Sequence, residues 1–139
     1  MNKTIAAIVL LAPLSAVAIP VNIGVASAVR GAVNATAPGA AGRVVETGKD
    51  VYAHDKIKTG PEGKLQILLL DQTSFTIGAN SEMELDEFVF DPATNAGKVS
   101  AKIVKGAFRF VTGKVARRDP ASMQVQTPVG TIGDRKSVV

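Results

Sequence analysis

The sequence predicts an all-β domain built from short strands, and three observations predict it. Apolar and polar residues alternate with period two through residues 56–90, KIKTGPEGKLQILLLDQTSFTIGANSEMELDEFVF, which is the repeat of a strand with one buried face. Turn-forming text punctuates this stretch at Thr59-Gly60-Pro61-Glu62-Gly63, Asp71-Gln72 and Gly78-Ala79-Asn80, dividing it into three short strands with tight turns. Beyond the first eighteen residues no segment carries the 3.6-residue apolar period of an amphipathic helix.

The chain of 139 residues is 46% hydrophobic and 20% charged, enough for one core and one domain. It has no Cys, which excludes disulfides, thiolate catalysis and Cys-ligated zinc or iron-sulfur sites. Aromatic residues make up 4% and Trp is absent, which argues against a surface that stacks sugars or bases.

Residues 1–18 read as a secretory signal peptide. Lys3 supplies the basic start, Ile5 to Ala12 the apolar run, and Ala16-Val17-Ala18 the small-residue cleavage signal. The expected cut falls between Ala18 and Ile19. A retained membrane anchor is the competing reading, because apolar residues continue to Val21, but Pro13 and Ser15 interrupt a span already at the short end of the ~20 residues a crossing helix needs. A lipoprotein anchor would need a Cys to acylate. Loss of Lys3 leaves fifteen basic against twelve acidic residues, +3, a balance that does not indicate nucleic acid.

In chain order, IGVASAVRGAVNAT at residues 23–36 reads as a first strand with a bend or bulge at Gly31. APGAAG at 37–42 is a small-residue turn and, with no following Lys-Ser or Lys-Thr, not a phosphate loop. Short strands are expected from Arg43 and from Val51, separated by a turn at Gly48-Lys49-Asp50. Leu65, Ile67 and Leu69 form one face of the next long strand, and Leu68 and Leu70 on the other face suggest that its end is covered on both sides. DPATNAG at 91–97 marks a hairpin. If Phe90 faces Lys98, antiparallel pairing sets Asp86 opposite Lys102, Leu85 opposite Ile103 and Val89 opposite Val99. Phe108 and Phe110 then share one face with Arg109 on the other, residues 114–120 are polar, basic and turn-rich, and 123–127 and 129–133 are two further strands. The total is about eight to ten strands in a compact roll, with solenoid-like and sandwich-like arrangements both open.

The run IKTGPEGKLQILLLDQTSFTIGANSEMELDEFVFD, followed by KIVKGAFRFVTGKV and VQTPVGTIG, resembles the FecR-type domain in its stand-alone exported form. The resemblance covers roughly residues 25–133, and its pieces stand in the family's order, which is more specific than any one of them. It implies a domain at 19–133, a periplasmic or extracellular location, and a non-enzymatic interaction or sensory and regulatory module. The expected partner is another exported or membrane protein. FecR regulators also relay their signal through a membrane helix to a cytoplasmic segment, and neither is expected in the mature chain. The alternative is an envelope or surface structural domain forming the N-terminal fragment of a longer protein. Residues 134–139, DRKSVV, leave the family's pattern and read as a non-native tail.

No residue is assigned to catalysis, to a cofactor or to a metal. His54-Asp55 holds the only His; with no nucleophile marked nearby it reads as a turn, Asp55 bonding backbone donors and His54 exposed. The carboxylates from Glu82 to Asp91 lack the spacing and central Gly of a calcium loop, and strand alternation points Glu82, Glu84 and Asp86 at solvent, so they read as a solvated strand face. Lys114, Arg117 and Arg118 read as surface charge without interleaved aromatics. Asn34-Ala35-Thr36 matches a glycosylation acceptor and is given no role.

Overall fold

The computed structural model describes residues 20–132; the expected leader and the expected non-native tail lie outside them. Twelve strands run in the order β1 (Asn22–Arg30), β2 (Val33–Thr36), β3 (Arg43–Val44), β4 (Asp50–Tyr52), β5 (Lys56–Thr59), β6 (Lys64–Leu69), β7 (Ser74–Ile77), β8 (Glu82–Phe90), β9 (Gly97–Lys105), β10 (Phe108–Val111), β11 (Met123–Thr127) and β12 (Gly130–Ile132). They form a five-stranded sheet, β10-β7-β6-β1-β4, and a seven-stranded sheet, β12-β11-β9-β8-β5-β2-β3. The inner faces of both contribute to one buried cluster, from Ile23, Leu65, Ile67, Phe75 and Ile77 on the first to Val33, Ile57, Met83, Ile103 and Val125 on the second. The arrangement is therefore sandwich-like.

The chain changes sheets where the backbone permits it. Gly31 breaks the first long strand at φ 68°, a left-handed conformation that costs glycine little, so β1 stays in one sheet and β2 enters the other. Residues 56–90 hold four strands, not three, because each of the three turn signals separates two strands. The extra strands beyond the expected ten come from pieces of two to four residues between corners.

Leu65, Ile67 and Leu69 are buried, whereas Leu68 and Leu70 are 40% and 59% exposed. The expected second cover is absent there because the outer face of the five-stranded sheet is packed by no other strand of the described residues.

The β8–β9 hairpin also departs from its expected register. Phe90 pairs with Gly97, Val89 with Lys98 and Phe88 with Val99; beyond a bulge at Asp86, Leu85 pairs with Ala101, Glu84 with Lys102 and Met83 with Ile103. Two causes act. The turn closes one residue earlier, with Asp91 N–H donating to Ala96 O. The bulge then inserts an extra residue that reverses the facing of everything after it, so Met83 and Leu85 are buried before it while Phe88 and Phe90 pack inward after it and Val89 is exposed.

A helical turn, α1 (Lys114–Arg118), and a 3-10 turn at Pro120–Ser122 stand where a turn-rich loop was expected. Five residues have no helical tendency of their own to speak of; tertiary hydrogen bonds at the N-terminus hold this turn, as Lys114 N–H donates to Asp71 O and Val115 N–H to Asp71 Oδ2. No helix among the described residues is long and apolar enough to cross a membrane.

Candidate functional site

The outer face of the five-stranded sheet gathers what the sequence keeps apart. Strand alternation that buries Leu65, Ile67 and Leu69 turns Lys64, Gln66 and Leu68 outward on β6. Register then builds rows across the sheet. Lys64 pairs with Arg30 on β1. Gln66 lies between Ala28 and Thr76, and Thr76 pairs with Arg109 on β10. Leu68 lies between Val25 and Ser74, and Ser74 pairs with Val111.

One end of this face is cationic and the other aliphatic. Arg30, Lys64 and Arg109, with Ser27, Thr47, Gln66 and Thr76, line a groove of about 330 Å³. Neighbouring depressions of about 250 and 190 Å³ share Arg109 and Thr76 with it. None of the three cations forms an ion pair among the described residues, whose pairs are Arg43–Asp55, Lys58–Glu82 and Lys98–Glu87. Two like charges facing each other across a ladder repel, so the Arg30–Lys64 pair is an arrangement that an anionic group would relieve. Leu68, Leu70 and Val111, each at least 40% exposed, supply the apolar end.

The groups singled out by the sequence fall elsewhere. His54 is exposed at a turn with φ 65°. It borders a separate depression of about 400 Å³ with Lys56, Glu84 and residues of the 37–40 turn. Asp55 is fully buried and accepts from Tyr52 N–H at 2.9 Å and from the Arg43 guanidinium, so its carboxylate is committed to the fold. Hydrogen bonding to Asp55 makes Arg43 more basic than usual, against the opposing effect of its own burial.

Glu82 and Glu84 lie on the outer face of the other sheet, between lysines on both sides: Lys58 and Lys105 flank Glu82, and Lys56 and Lys102 flank Glu84. Across these ladders Lys58 forms an ion pair with Glu82 and Lys98 with Glu87, so the acidic residues of β8 are partly neutralised by lysines on the strands at either side. Lys114, Arg117 and Arg118 sit on α1, where Arg117 donates to Thr112 O, away from the cationic groove. Arg109 faces opposite Phe108 and Phe110 as expected. Its convergence with Arg30 and Lys64 was missed, since three residues far apart in sequence meet only through strand order.

Residues 55–139 match the family model described as FecR protein. A solved structure described as "Cell surface anchoring domain" is similar at 27% identity over 45% of this chain and 83% of that chain, with a TM-score of 0.44. No curated protein matches the chain.

Proposed function

The chain belongs to the FecR protein family, and on that premise we propose that it is an exported, non-enzymatic interaction module of the sensory or regulatory kind, which engages another exported or membrane protein. The observation that carries this reading is the outer face of the five-stranded sheet. Arg30, Lys64 and Arg109 stand there without a carboxylate partner among the described residues, beside exposed Leu68, Leu70 and Val111. Such a face recruits through charge and anchors through apolar contact. The partner's matching surface is acidic at one end and apolar at the other.

A binding role in place of catalysis is supported by the state of the titratable groups. Asp55 is occupied by Arg43 and Tyr52, and His54 stands on an exposed turn. Export is supported by the leader-like pattern at residues 1–18 and by family membership, which suits an envelope location.

The test places a photo-activated cross-linking residue at Thr76, in the middle of the face, in exported protein. The expected adduct is with an envelope protein. It should be lost when Lys64 and Arg109 are both replaced by Glu, and should be absent when the cross-linker stands at Lys58 on the opposite sheet. Capture indifferent to those charges, or a full-length protein held in the cytoplasm, would sink the reading; mass analysis of the exported form also shows whether the cut falls between Ala18 and Ile19.

A further inference from the structure

The five-stranded sheet ends on β10, and we infer that this strand is the docking edge at which a partner adds an extended segment of alternating apolar and acidic residues. The inference rests on the reading of the chain as an interaction module and specifies how the partner is held.

Backbone geometry comes first. Among the described residues β10 is hydrogen-bonded only to β7, with Phe108 opposite Ile77, Arg109 opposite Thr76 and Phe110 opposite Phe75. Gly78 N–H donates to Ala107 O at 2.9 Å. Antiparallel ladders bond at alternate residues, so the bonded positions are Ala107, Arg109 and Val111. The N–H and C=O groups of Phe108 and Phe110 therefore point to the open edge, and none has a hydrogen-bond partner among the described residues. At four residues β10 is the longest edge strand described; β4 and β12 have three and β3 has two.

Edge strands are usually guarded by shortness, charge, Pro, a bulge or a covering element. β10 has no Pro and no bulge, and its one charge, Arg109, faces outward and leaves the backbone edge open. It is also held in position. Gly106 precedes it at φ 97°, where an added Cβ would stand 2.0 Å from Ser81 Oγ. Gly113 follows it so close to the β6–β7 turn that a Cβ would lie 2.3 Å from Thr73 N. A fixed, open strand loses little entropy on pairing.

The two faces of β10 set the chemistry of the added strand. Inward, Phe108 and Phe110 are stacked with centroids 6.4 Å apart and half-buried against the core, leaving ring edges for apolar side chains to cover. Outward, Arg109 adjoins Lys64 and Arg30 with no carboxylate among the described residues lining the groove, so residues on that face of the added strand are acidic. Alternation of the two kinds is what a strand with period two presents.

The test uses the full chain and two synthetic pentapeptides, capped Val-Glu-Val-Glu-Val and Val-Lys-Val-Lys-Val, with amide exchange read by NMR. In the free protein the Phe108 and Phe110 amides should exchange about tenfold or more faster than that of Arg109. The acidic peptide should slow both and bind about tenfold more tightly than the basic one. N-methylation of its edge-facing amides should abolish binding, and Arg109→Glu should reverse the charge preference. Equal binding of the two peptides, no binding of the acidic one, or binding that leaves Phe108 and Phe110 exchanging freely would overturn strand addition. A charge-dependent adduct at Thr76 alongside any of those results would leave the interaction module standing without it.

Discussion

The Arg43 guanidinium forks onto Asp55, Nη1 donating to Oδ1 at 2.9 Å and Nη2 to Oδ2 at 2.5 Å. The same guanidinium lies 4.9 Å over the Tyr52 ring, and Asp55 also accepts from Tyr52 N–H. One ion pair thus ties the short strand β3 to the turn between β4 and β5. Replacing Arg43 by Ala leaves a fully buried carboxylate short of its charge partner, and should cost about 3 kcal/mol, the low end for breaking a buried pair because the Arg43 side chain is itself 31% exposed. Urea unfolding checks this. A loss under about 0.5 kcal/mol, typical of surface substitutions, would mean that the pair does not lock β3.

The pair also has a pH signature. Arg43 is more basic in the folded chain than in the unfolded one, through its bonds to Asp55. A raised group contributes stability that is complete below its unfolded pKa and is lost as pH rises through its folded pKa. For Arg43 that window lies beyond ordinary alkaline conditions. Arg43→Lys brings it down toward the lysine range of about 10.4. The difference in melting temperature between Arg43→Lys and the parent should therefore widen above roughly pH 10; a constant difference through that range would contradict the linkage.

The corrected hairpin register makes a direct claim about charge coupling. Glu84, not Asp86, faces Lys102, and Asp86 is instead the bulge residue, accepting from Ser100 Oγ at 3.4 Å. A double-mutant cycle between Glu84 and Lys102 should give a coupling of about 0.2–1 kcal/mol, while a cycle between Asp86 and Lys102 should give none. The reverse result would restore the uninterrupted register.

That hairpin shows what was legible in the sequence and what was not. The strands themselves were legible, because Leu65-Ile67-Leu69 and Phe75-Ile77 must alternate to bury one face. The bulge left a readable mark as well: the apolar phase passes from odd positions at Met83 and Leu85 to even positions at Phe88 and Phe90 across the polar pair Asp86-Glu87. An unbroken ladder cannot change phase. Leu68 and Leu70 misled because an exposed apolar face has the same composition as a covered one. The cationic face was illegible, since no local rule places β1, β6, β7 and β10 side by side in one sheet.

Gly106 sets where the chain leaves one sheet for the other. A Cβ there would collide with Ser81, and φ 97° would strain any other residue. Gly106→Ala should lower stability by about 1–3 kcal/mol and should free the β10 edge before the rest of the sheet, seen as faster exchange at Arg109 than at Ile67. Uniform loss of protection would show that Gly106 acts on the whole fold and not on the strand it introduces.

Asp71 offers the sharpest test of burial, because Asp91 makes the same local bond in water. Asp71 Oδ1 accepts from Thr73 N–H at 2.9 Å, and Oδ2 from Thr73 Oγ1 at 2.8 Å and Val115 N–H at 3.2 Å. Asp91 likewise accepts from a backbone N–H two residues on, that of Ala93 at 2.9 Å, and from Thr94 Oγ1 at 3.1 Å. The difference is solvent: Asp71 and Thr73 are fully buried, whereas Asp91 is exposed. Asp71→Ala strands buried donors that no water reaches, at a cost of about 3 kcal/mol or more. Asp91→Ala lets water take over and should cost well under about 1.5 kcal/mol. Asp71→Asn should rescue little, since its amide N–H₂ would meet N–H and O–H donors where a carboxylate met them with acceptors. A local effect accompanies the global one. With Val115 N–H orphaned, α1 keeps only the Lys114 N–H bond to Asp71 O of the two that hold its start, its first turn should open more readily, and trypsin should cut after Arg117 or Arg118 in the Asp71 variants before it cuts the parent. Equal destabilisation by Asp71→Ala and Asp91→Ala would refute the burial argument, and unchanged cleavage at Arg117 and Arg118 would show that α1 holds without Asp71.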